Sequence, residues 1–385
     1  MLTRRHFLTG SGAGLFLSGY PVHGFTKEPV DGRIVVILLE GGMDGLLAVP
    51  PIGDKNLFKK RRGLVSSKAL KLNPLFAIHP NFRKFSAMLE NEEASIVHAT
   101  SFPYTGRSHF EGQNVMQTGL KDPFSSRTGW LGRAMAIAKI TGKAMSLDSP
   151  LIMRGATDYD NFYPTHLKDV SMKFNWSETL NLIQGTHDSD ASNTFDVLGQ
   201  KQPTSMRKWK MAHRDPLSLA EKAGHSLREV DGPRVAVITV PHFDDHTEIM
   251  EASEHPEKFT TIDNIFASLR NKLQEQWANT IVLTMTEFGR TVKENGAAGT
   301  DHGYGSAGLL AGGLIKRSSV IADWPGLATS ELYERRDLYA TIDYRSVCAA
   351  CIEAAFGLDH DLITEQVFQD KNIPRAYTHI FGGLG

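Results

Sequence analysis

The sequence predicts an α/β protein built on a mostly parallel sheet with helices on both faces. Three observations carry that expectation. Continuous apolar runs of strand length recur at residues 33–39, 235–240 and 281–285, as strands buried on both faces require. Stretches of helical length separate such runs, and strand–helix alternation is the pattern of a parallel sheet. Acidic and histidine residues cluster just past the ends of the runs, where open α/β sheets bind their ligands.

The elements follow in order. After a leader and linker at residues 1–30, the first strand spans 33–39. A helix is expected over 74–89, entered through His79-Pro80, then a strand at 95–100. The turn ending at Arg107 leads into Ser108-His109-Phe110-Glu111, a capping-box spacing that opens a helix running to Thr118-Gly119. Another helix follows Gly129-Trp130-Leu131-Gly132-Arg133. Residues 145–232 are polar and weakly periodic and read as a cap or insertion within the 31–385 domain, with a helix at 216–230. The alternation then resumes: a strand at 235–240, a helix over 260–280, strands at 281–285 and 308–312, and a final helix over 344–356.

Of 385 residues, 22% are charged and the net charge is −1, so no global field draws the chain to nucleic acid. Lys59-Lys60-Arg61-Arg62, the densest basic run, reads as solvated surface. Cys348 and Cys351 fall inside the last helix and read as core residues, with an oxidised pair as the alternative. Near the start, Arg4-Arg5 precedes a mild apolar stretch to Tyr20 that is too short and Gly-rich to span a bilayer. This predicts export by the twin-arginine translocase to the periplasm. Val22-His23-Gly24 is a weak cleavage site, and the mature chain is expected to have no transmembrane helix.

The candidate chemistry sits at the strand ends. Asp44 follows the first strand in Gly41-Gly42-Met43-Asp44-Gly45. Asp244 and His246 leave the 235–240 strand together, and Asp244 is favoured over Asp245 by its spacing from His246. Glu287 follows 281–285, and His302 lies in a Gly-rich loop. Together these are mixed nitrogen and oxygen ligands suited to zinc, manganese or iron. Ser108, at a helix N-terminus, is either a nucleophile or a plain cap; a serine there needs a metal or a base to ionise. Arg107 and Arg290 are candidates to contact a substrate oxyanion, and Arg290 could equally pair with Glu287.

Ordered motifs link these residues across the chain: Arg4-Arg5, Ile78-His79-Pro80, Ser108-His109-Phe110, Phe243-Asp244-x-His246, Thr286-Glu287-Phe288-Gly289-Arg290, Asp301-His302-Gly303 and Trp324-Pro325-Gly326-Leu327. In these the chain resembles the twin-arginine-exported bacterial proteins known only as a domain of unknown function, in the alkaline-phosphatase/sulfatase-like clan. The resemblance implies a three-layer α/β/α sandwich, alkaline-phosphatase-like, with two metals. It assigns Asp44 and Ser108 to one metal site and Asp244, His246 and His302 to the other. The clan usually has an Asp-His pair where this chain has Glu287-Phe288, so the first site lacks a histidine. A sulfatase is excluded, because Ser108 lies outside any C/S-x-P-x-R context.

The expected activity is hydrolysis of a small phosphate or related oxyanion ester through Ser108, with one or two divalent ions, zinc or manganese. The alternatives are a non-catalytic or degenerate envelope protein of the same fold with at most one structural metal, and a phosphomutase or transferase.

Overall fold

The structure is a computed structural model describing residues 31–140, 144–146, 150–156, 160–161, 215–247 and 255–381. The leader motif at Arg4-Arg5, the cleavage site at residues 22–24 and most of the 145–232 span lie outside the described residues. Nine strands form one sheet: β1 (Arg33–Leu39), β2 (Ala94–Ser101), β3 (Ala144–Ser146), β4 (Asp160–Asn161), β5 (Val235–Val240), β6 (Thr280–Met285), β7 (Ser306–Ala311), β8 (Val320–Ile321) and β9 (Ile342–Asp343). Their order is β8-β2-β7-β6-β1-β5-β3-β4, with β9 also paired to β2. β1 lies at the centre, parallel to β5 on one side and β6 on the other. Among the described residues, only β7 runs antiparallel to its neighbours.

Every residue of β1 is buried, and alternate side chains serve opposite cores. Ile34, Val36 and Leu38 pack with α2 (His109–Thr118), α3 (Trp130–Ile137) and α6 (Tyr344–Phe356). Val35, Ile37 and Leu39 pack with α1 (Arg83–Glu90), α4 (Pro216–Arg228) and α5 (His255–Leu273). The fold is therefore the three-layer α/β/α sandwich expected, with a mostly parallel sheet. Cys348 and Cys351 are buried free thiols in α6.

Three local expectations are corrected. The helix over 74–89 is confined to Arg83–Glu90, while Ala77–Ile78 pairs antiparallel with Leu70–Lys71. Pro80 explains this, since it disfavours helical geometry at the residue before it and lacks an N–H. The helix over 260–280 starts earlier, at His255, and gives way to a 3₁₀ segment at Gln274–Asn279. Around the ends of the 145–232 span, residues 144–146 and 160–161 add two short strands to the sheet, and α4 packs closely on α5. The capping box at Ser108 does not form. Its side chain makes no cap bond, and Glu111, the reciprocal member, instead accepts from the Tyr104 hydroxyl at 2.7 Å.

His98, on β2, is fully buried and held neutral. Its Nδ1 accepts from the Ala99 N–H at 2.7 Å, and its Nε2 lies 2.9 Å from the Val49 carbonyl. Burial pulls its pKa down to about 4. The unfolded chain takes up this proton near pH 6.5, so the stabilisation is present above that pH and is lost as pH falls toward 4. At roughly 1.4 kcal/mol per unit, the loss reaches about 3 kcal/mol. Denaturant unfolding should show stability falling across this window, with a flatter profile in His98→Gln. Parallel profiles for the two proteins would remove this account.

Candidate metal centre at the strand ends

The loops leaving β1, β5 and β6 meet at one edge of the sheet. Gly41 and Gly42 let them approach. Gly41 has φ +116°, and a Cβ there would sit 2.4 Å from the Asp244 nitrogen. Gly42 has φ +77°, and its Cβ would meet the Phe288 ring at 2.8 Å. Both positions require glycine.

Arg290 lies between these loops with 1% exposure. Its guanidinium donates to the carbonyls of Gly41 (2.6 Å), Gly42 (2.8 Å), Phe243 (2.5 Å) and Thr300 (3.3 Å), and to Asp244 Oδ1 (2.9 Å). The expectation that it contacts a substrate oxyanion is thus not met, because its donors are spent inside the protein. Burial opposes ionisation of Asp244, but the neighbouring His302 and the Arg290 charge outweigh it and hold the carboxyl well below its usual range.

Around Asp244 stand three imidazoles. His302 Nε2 lies 2.8 Å from Asp244 Oδ1 and 3.1 Å from the Nε2 of both His109 and His246. His246 Nε2 is 2.9 Å from Asp244 Oδ1, and His109 Nε2 is 3.3 Å from Oδ2. On the far side of each ring, Nδ1 faces an oxygen. For His109 it is Glu287 Oε1 (2.8 Å), for His246 Asp301 Oδ1 (3.2 Å), and for His302 the Arg107 carbonyl (3.0 Å). A carboxylate or carbonyl only accepts, so Nδ1 carries the proton in each neutral ring. The Nε2 lone pairs then face one another and a carboxylate. Among the described residues, His109, Asp244 and His302 form a possible metal site, their ligand atoms lying within 4.8 Å of one another. His246 adjoins it.

His109 was not singled out from the sequence, where Ser108, one residue before it, is the more conspicuous candidate. The available signal was its place in the first turn of α2, facing the strand-end loops. Phe288 packs on the rings of His109 and His302, at centroid distances of 4.9 and 5.0 Å, as an apolar floor.

Four further candidates lie outside the set of facing ligand atoms. Asp44 is buried with both oxygens on Arg61, at 2.8 and 2.5 Å, and caps a short helical turn through Leu47 N–H. A fixed guanidinium therefore sits where an ion was expected, and Arg61, read as solvated surface, is fully buried. Burial works against the Asp44 charge, yet Arg61 keeps its pKa low. Glu287 is also buried and serves as a hydrogen-bond hub. It accepts from Gly41 N–H, His109 Nδ1 and Gln113, so it orients a histidine rather than facing an ion. Arg107 takes a left-handed φ of +58° and pairs with Asp337 (2.7 Å) and Glu334 (2.5 Å), with its carbonyl turned onto His302. Its guanidinium is committed to those carboxylates. Ser108 occupies the N-cap of α2, next to His109, and its backbone N–H donates to the Tyr104 hydroxyl at 3.0 Å.

The fold and this cluster define an α/β/α protein with a candidate metal centre at the carboxyl ends of parallel strands. A family profile described as "Protein of unknown function (DUF1501)" matches residues 188–367, just under half of the chain. No curated protein matches. Among solved structures the chain is similar to a protein in the alkaline phosphatase superfamily from Vibrio parahaemolyticus, at 10% identity and TM-score 0.38, covering 76% of this chain and 64% of that one. It is also similar to the C-terminal periplasmic domain of EcEptC from Escherichia coli in complex with Zn (11%, TM-score 0.38, 73% of each chain). A third is murine ectonucleotide pyrophosphatase/phosphodiesterase 5, an inactive form in complex with AMP (10%, TM-score 0.33); 67% of this chain and 57% of that one are covered.

Removing the Arg290 guanidinium would strand four carbonyls and a carboxylate. Arg290→Ala is expected to cost about 3 kcal/mol or more in denaturant unfolding, since each buried acceptor left unsatisfied costs about 1–3 kcal/mol. Arg290→Lys should recover little of it, because one ammonium cannot span acceptors on three loops. A lysine variant of near wild-type stability would contradict this role.

Proposed function

We propose that His109, Asp244 and His302, with His246 beside them, hold one divalent metal ion, and that the protein is an exported hydrolase of phosphate or related oxyanion esters. One observation carries the metal reading: three imidazoles present mutually facing Nε2 lone pairs while each Nδ1 is anchored to an oxygen. Metal-ligating histidines are held in this way. The spacing also fits. Bonds of 2.0–2.1 Å in a tetrahedron put neighbouring ligand atoms about 3.3 Å apart, and the closest contacts among these nitrogens and the two Asp244 oxygens are 2.8–3.3 Å. The nitrogen-rich donors favour zinc over a harder ion.

An ion there would supply Lewis-acid stabilisation of charge on an ester oxygen. The chain's own residues do the rest. Arg290 keeps Asp244 ionised and aimed. Glu287, Asp301 and the Arg107 carbonyl fix the three rings. Ser108, at the N-terminus of a ten-residue helix, is the proposed nucleophile, in a position where free N–H groups favour negative charge. The partly exposed Asp244 and His246 leave the cluster open to a small substrate. Asp44 with Arg61 argues for one ion rather than two. Arg4-Arg5 and the stretch to Tyr20 support export by the twin-arginine route to the periplasm. Among the described residues no helix is long and apolar enough to cross a membrane.

The Asp44–Arg61 lock also favours a second reading, a non-catalytic protein with one structural ion, since a two-ion displacement needs a cation site that is filled here by arginine. Metal analysis of natively purified protein should give about one equivalent, lost in His302→Ala. On a panel of phospho- and sulfo-esters, Ser108→Ala should retain the ion but lose roughly 10³-fold or more in turnover. Metal retained with no turnover on any ester would leave the structural reading. Absence of metal would remove both.

A further inference from the structure

Beside the cluster lies a group of three tyrosines that the proposed chemistry does not use. Tyr304 follows His302 by two residues and meets Tyr333 at a centroid distance of 5.0 Å and Tyr339 at 6.5 Å; Tyr333 and Tyr339 lie 6.1 Å apart. Two contacts tie this group to the centre. Glu334, next to Tyr333, pairs with Arg107, whose carbonyl holds His302. Arg336 donates to the His302 carbonyl at 2.7 Å. All three rings keep some exposure, and Tyr339 is 47% exposed. Among the described residues, no protein group hydrogen-bonds to their hydroxyls.

We infer that this platform is a sugar-binding subsite, which takes the organic part of the ester whose oxyanion meets the metal centre. The inference rests on the hydrolase reading for that link and on its own geometry for the sugar. The rings meet at 53°, 80° and 59°, which makes a faceted wall rather than a parallel slot for a planar base. A pyranose presents C–H faces to such rings and hydroxyls to the phenols and to the exposed Glu334 carboxylate. A hydrocarbon chain would leave those polar groups unmatched. Tyrosine suits this role, because it offers a rigid apolar face and a polar tip.

The test uses the full, metal-loaded protein and neutral methyl hexosides and disaccharides, which carry no ester, read by saturation-transfer NMR. At least one sugar should bind. Tyr339→Ala should weaken it at least tenfold at an unchanged melting temperature, and Tyr339→Trp should restore it. Because the probes cannot be hydrolysed, sugar binding without any ester turnover upholds the subsite and removes only the hydrolase reading. Ester turnover with no sugar binding overturns the subsite alone. Binding of adenosine or aryl alcohols with the sugars silent also overturns it, as does undiminished sugar binding in Tyr339→Ala.

Discussion

The site depends on a positive charge that never leaves the protein. Arg290 is buried where the loops after β1, β5 and β6 converge, and its donors reach carbonyls on each side as well as Asp244. Taking a guanidinium out of water costs several kcal/mol, and the pairing repays this only when nearly every donor is satisfied. That requirement fixes the three loops in one arrangement. Thr300 extends the constraint, with its carbonyl on Arg290 and its hydroxyl 3.3 Å from Asp44, which Arg61 holds in turn. The loop bearing Asp301 and His302 is thus gripped from two sides before any ligand arrives.

Much of the architecture was legible because a strand buried on both faces must be apolar throughout. β1 and β5 carry that signature and were found at their observed bounds, and β6 within one residue. α6 was equally plain, opened by Asp343, whose side chain accepts from Arg345 N–H, and closed by Gly357 in the left-handed region. The errors fell where one residue overrides a periodic pattern. Pro80 cuts a hydrophobic stretch whose spacing alone reads as helix. Tyr104, four residues upstream of Ser108, takes the carboxylate that a capping box would have used.

The site was legible in its positions and less so in its partnerships. Acidic residues and histidines past strand ends were visible, and Asp244, His246 and His302 do come together. Which of them face one another is a property of the folded chain. Asp44 and Glu287 looked like ligands of equal rank, yet each is spent on a neighbour distant in sequence, Arg61 in one case and His109 in the other. Arg61 was hidden because its basic run otherwise lies at or near the surface, and composition cannot tell which member turns inward. His109 was hidden by its neighbour, since a serine before a helix draws the eye first.

Gly41 shows how little room the geometry of the cluster leaves. The gap between the first two loops is set by a hydrogen atom, with the place of a Cβ 2.4 Å from the Asp244 nitrogen. A side chain at that position would act as a wedge, driving the Asp244–His246 segment away from His109 and His302. Divergence within this fold can therefore dismantle the cluster while all four of its residues survive in the sequence. A related chain that keeps all four cluster residues but bears alanine at position 41 would look intact by inspection of those residues, and would hold its histidines splayed.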